Sequence, residues 1–267
     1  LYLTNARQAP DEGTLMRNPA WVDVFENLSI IEKQTLGSRS DQLKAVLEGF
    51  YHGDVATEID RYSQQHDGLL RRSDLEQFRT RIEQPVSLDF QDITLFKCGF
   101  WNQGPVVLQT LAILKQFDLK AMGHNSADYL HIVVEATKLA FADREQYYAD
   151  PYQVDVPAVG LLSEDYAKQR ARLIDPEHAN AEMCPGDPIN NQPLLPTEQR
   201  LCGQSWGPGT VHIDVIDAEG NMVSFTPSGA WIKSAEVIPS LGFPLGNRLM
   251  TFYLDPEHHP NRVAPFK

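Results

Sequence analysis

The sequence predicts an α+β fold, and three observations support this prediction. Apolar residues recur at helical spacing in several stretches of the first half of the 267-residue chain. Residues 86–96 partly alternate between apolar and polar side chains, which predicts strands. After an irregular, proline- and glycine-rich stretch at residues 180–209, the period changes to two, so residues 210–226 predict a β-hairpin.

Capping signals predict where the first helices begin. Asn18 is expected to cap a helix whose first residue is Pro19, because proline is favoured at that position. A second helix is expected from Ser40, with apolar side chains at helical spacing at Leu43, Val46, Leu47 and Phe50. The stretch Ser73-Asp74-Leu75-Glu76 has a capping-box pattern and predicts a short helix.

Two further helices follow the predicted strands. Residues 106–114 are apolar nearly all round, which predicts a buried helix. A long helix is expected to begin at Asn125, with Asp128 three residues later in the capping arrangement. Pro151 is expected to stop this helix.

Composition excludes some classes of partner. Lys and Arg number 23 against 36 Asp and Glu, a net charge of −13, so a broad nucleic-acid-binding surface is not expected. No apolar run reaches the roughly 18 residues that a membrane-spanning helix requires. The first residues show no signal-peptide pattern, and the sequence assigns no compartment.

The sequence predicts neither a metal site nor an organic cofactor. Cys98, Cys184 and Cys202 form no C-x-x-C pair. They are expected to be buried thiols or thiols without a specific role. His131 and Glu135 share one helix face, but they are at most two ligands and are expected to be a surface pair. The pair His258-His259 is expected at the surface, and Asp143-Arg144-Glu145 is expected to be a solvated helix end.

The junction between the irregular segment and the hairpin suits nucleophilic chemistry. Thr210 follows Gly207-Pro208-Gly209 and begins the predicted strand. If the bond between Gly209 and Thr210 were cut, Thr210 would carry both a hydroxyl and a free α-amine with a pKa of about 7.7–8.0. One residue would then supply nucleophile and base. The alternative is an ordinary threonine at the start of a strand, since threonine favours strands.

Several motifs, in the right order along the chain, resemble the gamma-glutamyltranspeptidase family. Residues 125–144, followed by Asp150-Pro151, are similar to the signature helix of that family. Phe50-Tyr51-His52-Gly53 is similar to part of its large subunit. Residues 210–224 resemble the start of its small subunit. The resemblance extends over most of the chain from about residue 15 onward.

This resemblance implies an N-terminal-nucleophile hydrolase with an αββα sandwich, made as one self-cleaving precursor. It implies that residues 1–209 belong to the large-subunit region and residues 210–267 begin the small-subunit region, the chain being incomplete at both ends. By the match, Thr210 is the catalytic nucleophile and Ser228 hydrogen-bonds to it. The remaining segments of the same precursor would be partners of this chain.

Departures from the family pattern concern substrate recognition. Positions that hold the substrate's α-amino group in glutathione-cleaving relatives correspond here to Ala230, Arg248 and Thr251. Loss of a carboxylate weakens binding of an ammonium group, while Arg248 suits a carboxylate. Residues 101–105 likewise replace a glycine-rich family motif. These features resemble the branch of cephalosporin (glutaryl) acylases.

The predicted activity is therefore an amidohydrolase or acyltransferase that acts through a threonine acyl-enzyme on γ-glutamyl or glutaryl-type amides, small molecules or peptides. The alternative is a catalytically silent family member that acts as a binding or scaffold protein.

Overall fold

A computed structural model of the chain describes residues 8–182, 184–200, 212–227, 237–246, 248–254 and 259–263. The chain divides into two units, each built from two stretches of sequence. The first unit comprises Leu1–Arg81 and Pro208–Arg248, and the second comprises Ile82–Gly207 and Leu249–Lys267. Both contain helices and strands, so the predicted mixture of helix and strand is confirmed.

The first unit begins with four helices, which are α1 (Pro19–Gln34), α2 (Arg39–Tyr51), α3 (Asp54–Gln65) and α4 (Arg72–Gln77). Asn18 caps α1 as predicted, its side-chain oxygen accepting a hydrogen bond from the Trp21 backbone N–H at 3.2 Å. Helix α2 begins earlier than expected, because Ser38 and Asp41 form a reciprocal capping box in which the Ser38 N–H donates to the Asp41 carboxylate at 2.8 Å.

Two short strands complete the core of this unit. Strand β5 (Val237–Ile238) pairs with β6 (Phe243–Pro244) in an antiparallel ribbon. The apolar core is formed by Val24, Val55, Ile59, Ile238 and Leu241. The turn between the strands needs a glycine, because Gly242 has a φ of 70° and a Cβ there would lie 2.3 Å from the Asn18 side-chain oxygen. The first unit also holds the hairpin of β3 (Ile213–Ile216) and β4 (Met222–Phe225).

The second unit starts with the predicted pair of strands and continues with helices. Strands β1 (Val86–Phe90) and β2 (Ile93–Lys97) form an antiparallel hairpin. The helices are α5 (Pro105–Leu114), α6 (Leu119–Met122), α7 (Ala127–Tyr147), α8 (Ala158–Leu161) and α9 (Glu164–Ala171). Helix α7 is capped by Ser126 and not by Asn125, because Asn125 has a positive φ of 57° and Ser126 accepts from the Tyr129 N–H at 3.1 Å.

Helix α5 is buried on nearly all sides, as its apolar sequence predicts. It packs against α7 and α9, and this core contains Ala112, Ile113, Ile132, Ala136, Leu139, Ala167 and Ala171. Small residues on α7 and α9 allow the close approach of the three helices. Among the residues that the structure describes, no helix is both long and apolar enough to cross a membrane.

Candidate active site

The β3–β4 hairpin is the described element that borders the predicted nucleophile. Its antiparallel register pairs Ile213 with Phe225 and Ile216 with Met222. Because side chains alternate along a strand, one face carries Ile213, Val215, Val223 and Phe225. The four apolar side chains of this apolar face are each between 49% and 57% exposed. The other face carries His212, Asp214, Ser224 and Thr226, and it also carries the exposed Ile216 and Met222 beside the turn. This second face, the polar face, is therefore polar only at the end of the hairpin away from the turn.

The turn of this hairpin fixes its register. The Asp217 carboxylate accepts from the backbone N–H of Glu219 at 3.0 Å and from that of Asn221 at 2.8 Å. It also accepts from the Asn221 side-chain amide at 2.7 Å, and these bonds lower the pKa of the Asp217 carboxyl. Gly220 supplies the positive φ of 84° that the turn requires. Register matters because a slip of one residue would exchange the two faces.

A chain of hydrogen bonds lies on the polar face. The Nδ1 atom of His212 is 2.6 Å from the Thr226 hydroxyl, and its Nε2 atom is 2.9 Å from the Asp214 carboxylate. The imidazole thus links the hydroxyl of Thr226, the residue after the end of β4, to the carboxylate of Asp214 on β3. A carboxylate, an imidazole and a hydroxyl in sequence can orient one another and move a proton.

A buried ion pair anchors the segment that leads toward the predicted cleavage junction. Asp143 on α7 and Arg170 on α9 are both fully buried, with 3.2 Å between carboxylate and guanidinium. The Asp143 carboxylate also accepts from the Gly186 N–H at 2.9 Å and from the Gln109 amide at 3.1 Å. Burial raises the pKa of the Asp143 carboxyl, and Arg170 acts in the opposite direction.

The prediction of a solvated helix end at Asp143 is therefore wrong. Helix α7 continues to Tyr147, and its Asp143 side is covered by α5, α9 and residue 186. The neighbouring Glu145 is also buried and accepts from the Tyr253 hydroxyl at 2.7 Å. Buried carboxylates are tolerated here because each has charged or hydrogen-bonding partners.

The Arg170 side chain donates hydrogen bonds to backbone carbonyls of the irregular segment. Its guanidinium donates to the carbonyls of Pro193 at 2.7 Å, Leu139 at 3.0 Å and Cys184 at 2.8 Å. Further along, the Arg200 side chain donates to the Leu195 carbonyl at 2.9 Å. In its described part, residues 180–182 and 184–200, the segment lacks regular strands and long helices, as its prolines predict, and side chains fix its path up to residue 200.

The residues predicted to form the site are described only in part. Thr210, Ser228 and Ala230 lie outside the described residues. Arg248 and Thr251 stand at the two ends of the 3₁₀ helix Arg248–Thr251, and Thr251 is half-buried. Their roles in substrate binding therefore stay predictions.

The predicted histidine pairs take other partners. His131 contacts the Asp175 carbonyl at 2.8 Å, while Glu135 is buried and accepts from Lys138 at 2.7 Å, so the expected surface pair is wrong. His259 is buried against the Tyr253 ring rather than at the surface, and His258 lies outside the described residues. No cluster of three or more His, Cys, Asp or Glu side chains within the described ranges is arranged to hold a metal ion.

The loop of residues 101–105 is joined by hydrogen bonds to two other segments. The Trp101 indole donates to the Glu83 carboxylate at 2.8 Å, and the Tyr152 hydroxyl donates to the same carboxylate at 3.2 Å. Within the loop, the Asn102 side chain accepts from the Gly104 N–H at 2.6 Å. Trp101 thus has a specific hydrogen-bonding partner although its ring is half-exposed.

Sequence reasoning did not single out His212 and Thr226, although a signal was present. Once a two-residue period and a turn at residues 217–221 are recognised, antiparallel pairing puts these two side chains opposite each other. The Asp143–Arg170 pair offers no such signal, because the two residues lie on different helices whose packing the sequence does not specify.

Comparison with known proteins gives consistent matches over most of the chain. A sequence model of the family described as Gamma-glutamyltranspeptidase matches residues 1–267. The glutathione hydrolase-like YwrD proenzyme of Bacillus subtilis is 33% identical over 233 residues, which are 85% of this chain and 40% of that protein.

Two solved structures are similar over nearly all of the chain. The structure of LmbA2991HD is 36% identical with a TM-score of 0.84, and the match covers 99% of this chain and 46% of the other. The cephalosporin acylase from Bacillus halodurans is 27% identical with a TM-score of 0.74, covering 97% of this chain and 41% of the acylase. The chain thus spans less than half the length of the proteins that it matches.

Proposed function

Because the chain belongs to the gamma-glutamyltranspeptidase family, we propose that it is part of a self-cleaving amidohydrolase whose nucleophile is Thr210. The relatives are proenzymes and acylases, which supports a hydrolase made as a precursor. Residues 1–209 would end the large subunit, and residues 210–267 would begin the small subunit. The αββα layers would be completed by the remaining segments of the precursor, for which the half-exposed apolar face of the β3–β4 hairpin is suited.

One observation supports the assignment of the nucleophile. In the described β3–β4 hairpin, Ile213 pairs with Phe225. In the sequence, Thr210 lies three residues before Ile213, and Ser228 lies three residues after Phe225. The two hydroxyl-bearing residues that the family resemblance assigns to the site therefore flank this hairpin at equal distances along the sequence.

The proposed chemistry needs no metal or organic cofactor. Hydrolysis of the Gly209–Thr210 bond frees the α-amine of Thr210, which can accept the proton of its own hydroxyl near neutral pH. The Thr210 oxygen attacks the amide carbonyl of a substrate, and the departing amine takes that proton as the acyl-enzyme forms. Water or an acceptor amine then attacks the acyl-enzyme ester and restores the hydroxyl.

The substrate is proposed to be an amide of glutaric type, with a γ-glutamyl amide as the less favoured donor. Ala230 and Thr251 provide no charge to pair with a substrate ammonium, and Arg248 would pair with a carboxylate. An ammonium group taken into the site without a charged partner would be desolvated at a cost.

The cleavage step is tested by the mass of the complete precursor after expression. We expect two fragments divided between Gly209 and Thr210, with masses that sum to that of the precursor plus one water. A precursor that folds but retains its full mass would contradict the proposed mechanism. If such an intact chain also bound an acidic peptide without turnover, it would support a scaffold role instead.

Donor preference tests the proposed recognition. Glutaryl anilide is expected to react at least as fast as γ-glutamyl anilide, measured as kcat/KM. Introducing a carboxylate by Thr251→Asp is expected to raise kcat/KM for the γ-glutamyl donor about tenfold, which corresponds to ~1.4 kcal/mol of binding. Thr251→Asn has similar size without charge and should leave the ratio unchanged. A strong γ-glutamyl preference of the wild type would refute the proposed role of these positions.

A further inference from the structure

The C-terminal end of α7 holds a distant segment of the chain in the second unit. The Tyr253 hydroxyl donates to the buried Glu145 carboxylate at 2.7 Å. The Asn261 side-chain amide donates to the Tyr148 carbonyl at 2.8 Å. Glu145 and Tyr148 are three residues apart, so they lie on one side of the helix end. Two separate hydrogen bonds therefore fasten this segment to the same part of α7.

The fastened segment, here named the strap, comprises residues 251–254 and 259–263. Its two parts are joined to each other at Tyr253, whose backbone N–H donates to the Asn261 carbonyl at 3.0 Å. The Tyr253 ring also stacks on the His259 ring with 3.7 Å between centroids, and His259 is 3% exposed. Tyr253 thus joins the parts of the strap by its backbone and its ring, while its hydroxyl is bonded to α7.

The strap supplies donors to two acceptors that require them. Glu145 is 7% exposed, and a buried carboxylate is tolerated only when it is paired or hydrogen-bonded. Arg144 pairs with one of its oxygens, and Tyr253 donates to the other. Tyr148 is the C-cap residue of α7, so its carbonyl has no partner within the helix and accepts from Asn261 instead. Both attachments therefore stabilise the helix end as well as the strap.

The strap begins at a position that the proposed function assigns to donor recognition. Thr251 is the last residue of the 3₁₀ helix Arg248–Thr251. The Phe252 N–H donates to the Leu249 carbonyl at 3.0 Å, so the helical turn closes directly before Tyr253. Two residues of chain span at most about 7 Å. Because Tyr253 is fixed to α7, the end of the 3₁₀ helix is restricted to this short distance from it.

We propose that the strap positions the 3₁₀ helix for binding of the donor substrate. Tyr253 and Asn261 are then positioning residues, which act through Glu145 and the Tyr148 carbonyl. This inference rests on the proposed role of Thr251 in donor recognition. Detachment of the strap lowers the fraction of molecules that hold the helix in place, and the apparent affinity for the donor falls by the same fraction. The chemical step is unchanged in molecules that bind the donor, so KM rises while kcat is retained.

Amide hydrogen exchange of the processed, complete enzyme tests the strap without an activity measurement. Tyr253→Phe keeps the ring on His259 and removes the hydroxyl that donates to a charged group. The peptide of residues 249–254 is therefore expected to exchange about tenfold faster. Tyr147→Phe is the matched control, because the Tyr147 hydroxyl donates to the Gly186 carbonyl at 2.7 Å, outside the strap. This control should leave the exchange of residues 249–254 unchanged, and unchanged exchange in Tyr253→Phe would refute the strap.

Kinetics of the same proteins test the positioning role. Tyr253→Phe is expected to raise KM for glutaryl anilide about tenfold and to keep kcat within about twofold of wild type. Asn261→Leu removes the donor to the Tyr148 carbonyl and should also raise KM, whereas Tyr147→Phe should not. An unchanged KM in Tyr253→Phe despite faster exchange, or a loss confined to kcat, would contradict the positioning role.

A double variant tests whether Tyr253 acts through Glu145. Glu145→Leu removes the acceptor of the hydroxyl and should raise KM as Tyr253→Phe does. If the two residues act through their shared hydrogen bond, the double variant raises KM no more than the larger single effect. Increases in KM that multiply in the double variant would show that the residues act separately, which would refute the proposed attachment.

These measurements separate a failure of the strap from a failure of the proposed function. If wild type turns over neither glutaryl anilide nor γ-glutamyl anilide, the proposed function fails and the positioning role fails with it. Hydrogen exchange then still decides whether Tyr253 fastens the strap. If wild type is active and Tyr253→Phe matches it in both exchange and KM, the proposed function stands and the strap alone is wrong.

Discussion

The Thr210→Ala precursor is expected to remain a single chain without measurable turnover. Alanine lacks the hydroxyl that attacks in both the cleavage and the acyl-transfer step, so both reactions stop together. Loss of a nucleophile typically lowers kcat by roughly 10⁴-fold or more. Intact mass and a glutaryl anilide assay on the same preparation measure the two effects.

The serine variant provides the matched comparison. Thr210→Ser keeps a hydroxyl and, after cleavage, a free α-amine, so it should be cut and should retain part of its activity. Thr94→Ala removes an exposed strand threonine whose hydroxyl donates to Asp89 at 2.6 Å, and it should behave as wild type. Cleavage of Thr210→Ala at the same bond would show that another group performs the reaction.

The Arg170→Met variant is expected to lose about 3–5 kcal/mol of unfolding free energy. The substitution preserves much of the volume of the side chain but leaves the fully buried Asp143 carboxylate without its cation. It also leaves the carbonyls of Pro193, Leu139 and Cys184 without their donor. Urea unfolding of the complete precursor, followed by circular dichroism, measures the shift in midpoint.

A nearby arginine and a double variant serve as controls. Arg172 is exposed and donates to Gln169, so Arg172→Met should change stability by no more than about 0.5 kcal/mol. Adding Asp143→Leu to Arg170→Met removes the orphaned charge and should recover part of the loss. If Arg170→Met is no less stable than Arg172→Met, the buried pair does not hold this part of the molecule together.

Much of the local structure was predictable because it depends on neighbouring residues. Asn18 and Pro19 define the start of α1, and the two-residue period defines the β3–β4 hairpin. The caps of α2 and α7 were misplaced by one or two residues, because several polar residues compete and backbone geometry selects Ser38 and Ser126. A capping pattern in the sequence defines the end of a helix only to within one or two residues.

Long-range partners were the part that the sequence could not provide. The pattern Asp143-Arg144-Glu145 is compatible with a solvated helix end, and only the packing of α7 against α9 brings Asp143 to Arg170. For the candidate site, Thr210 and Ser228 came from motif resemblance, whereas the contact of His212 with Thr226 follows from strand register. The register of the β3–β4 hairpin could be deduced from the sequence, whereas the packing of α7 against α9 could not.

The attachment of Arg200 has a consequence for the chain end that the proposed cleavage would create. Arg200 is held to Leu195 and Cys184, and the nine residues 201–209 follow it. At ~3.3–3.6 Å per residue, a fully extended chain of that length reaches roughly 30 Å. The proposed cleavage would therefore leave a new carboxyl terminus that stays tethered to Arg200 by this length of chain.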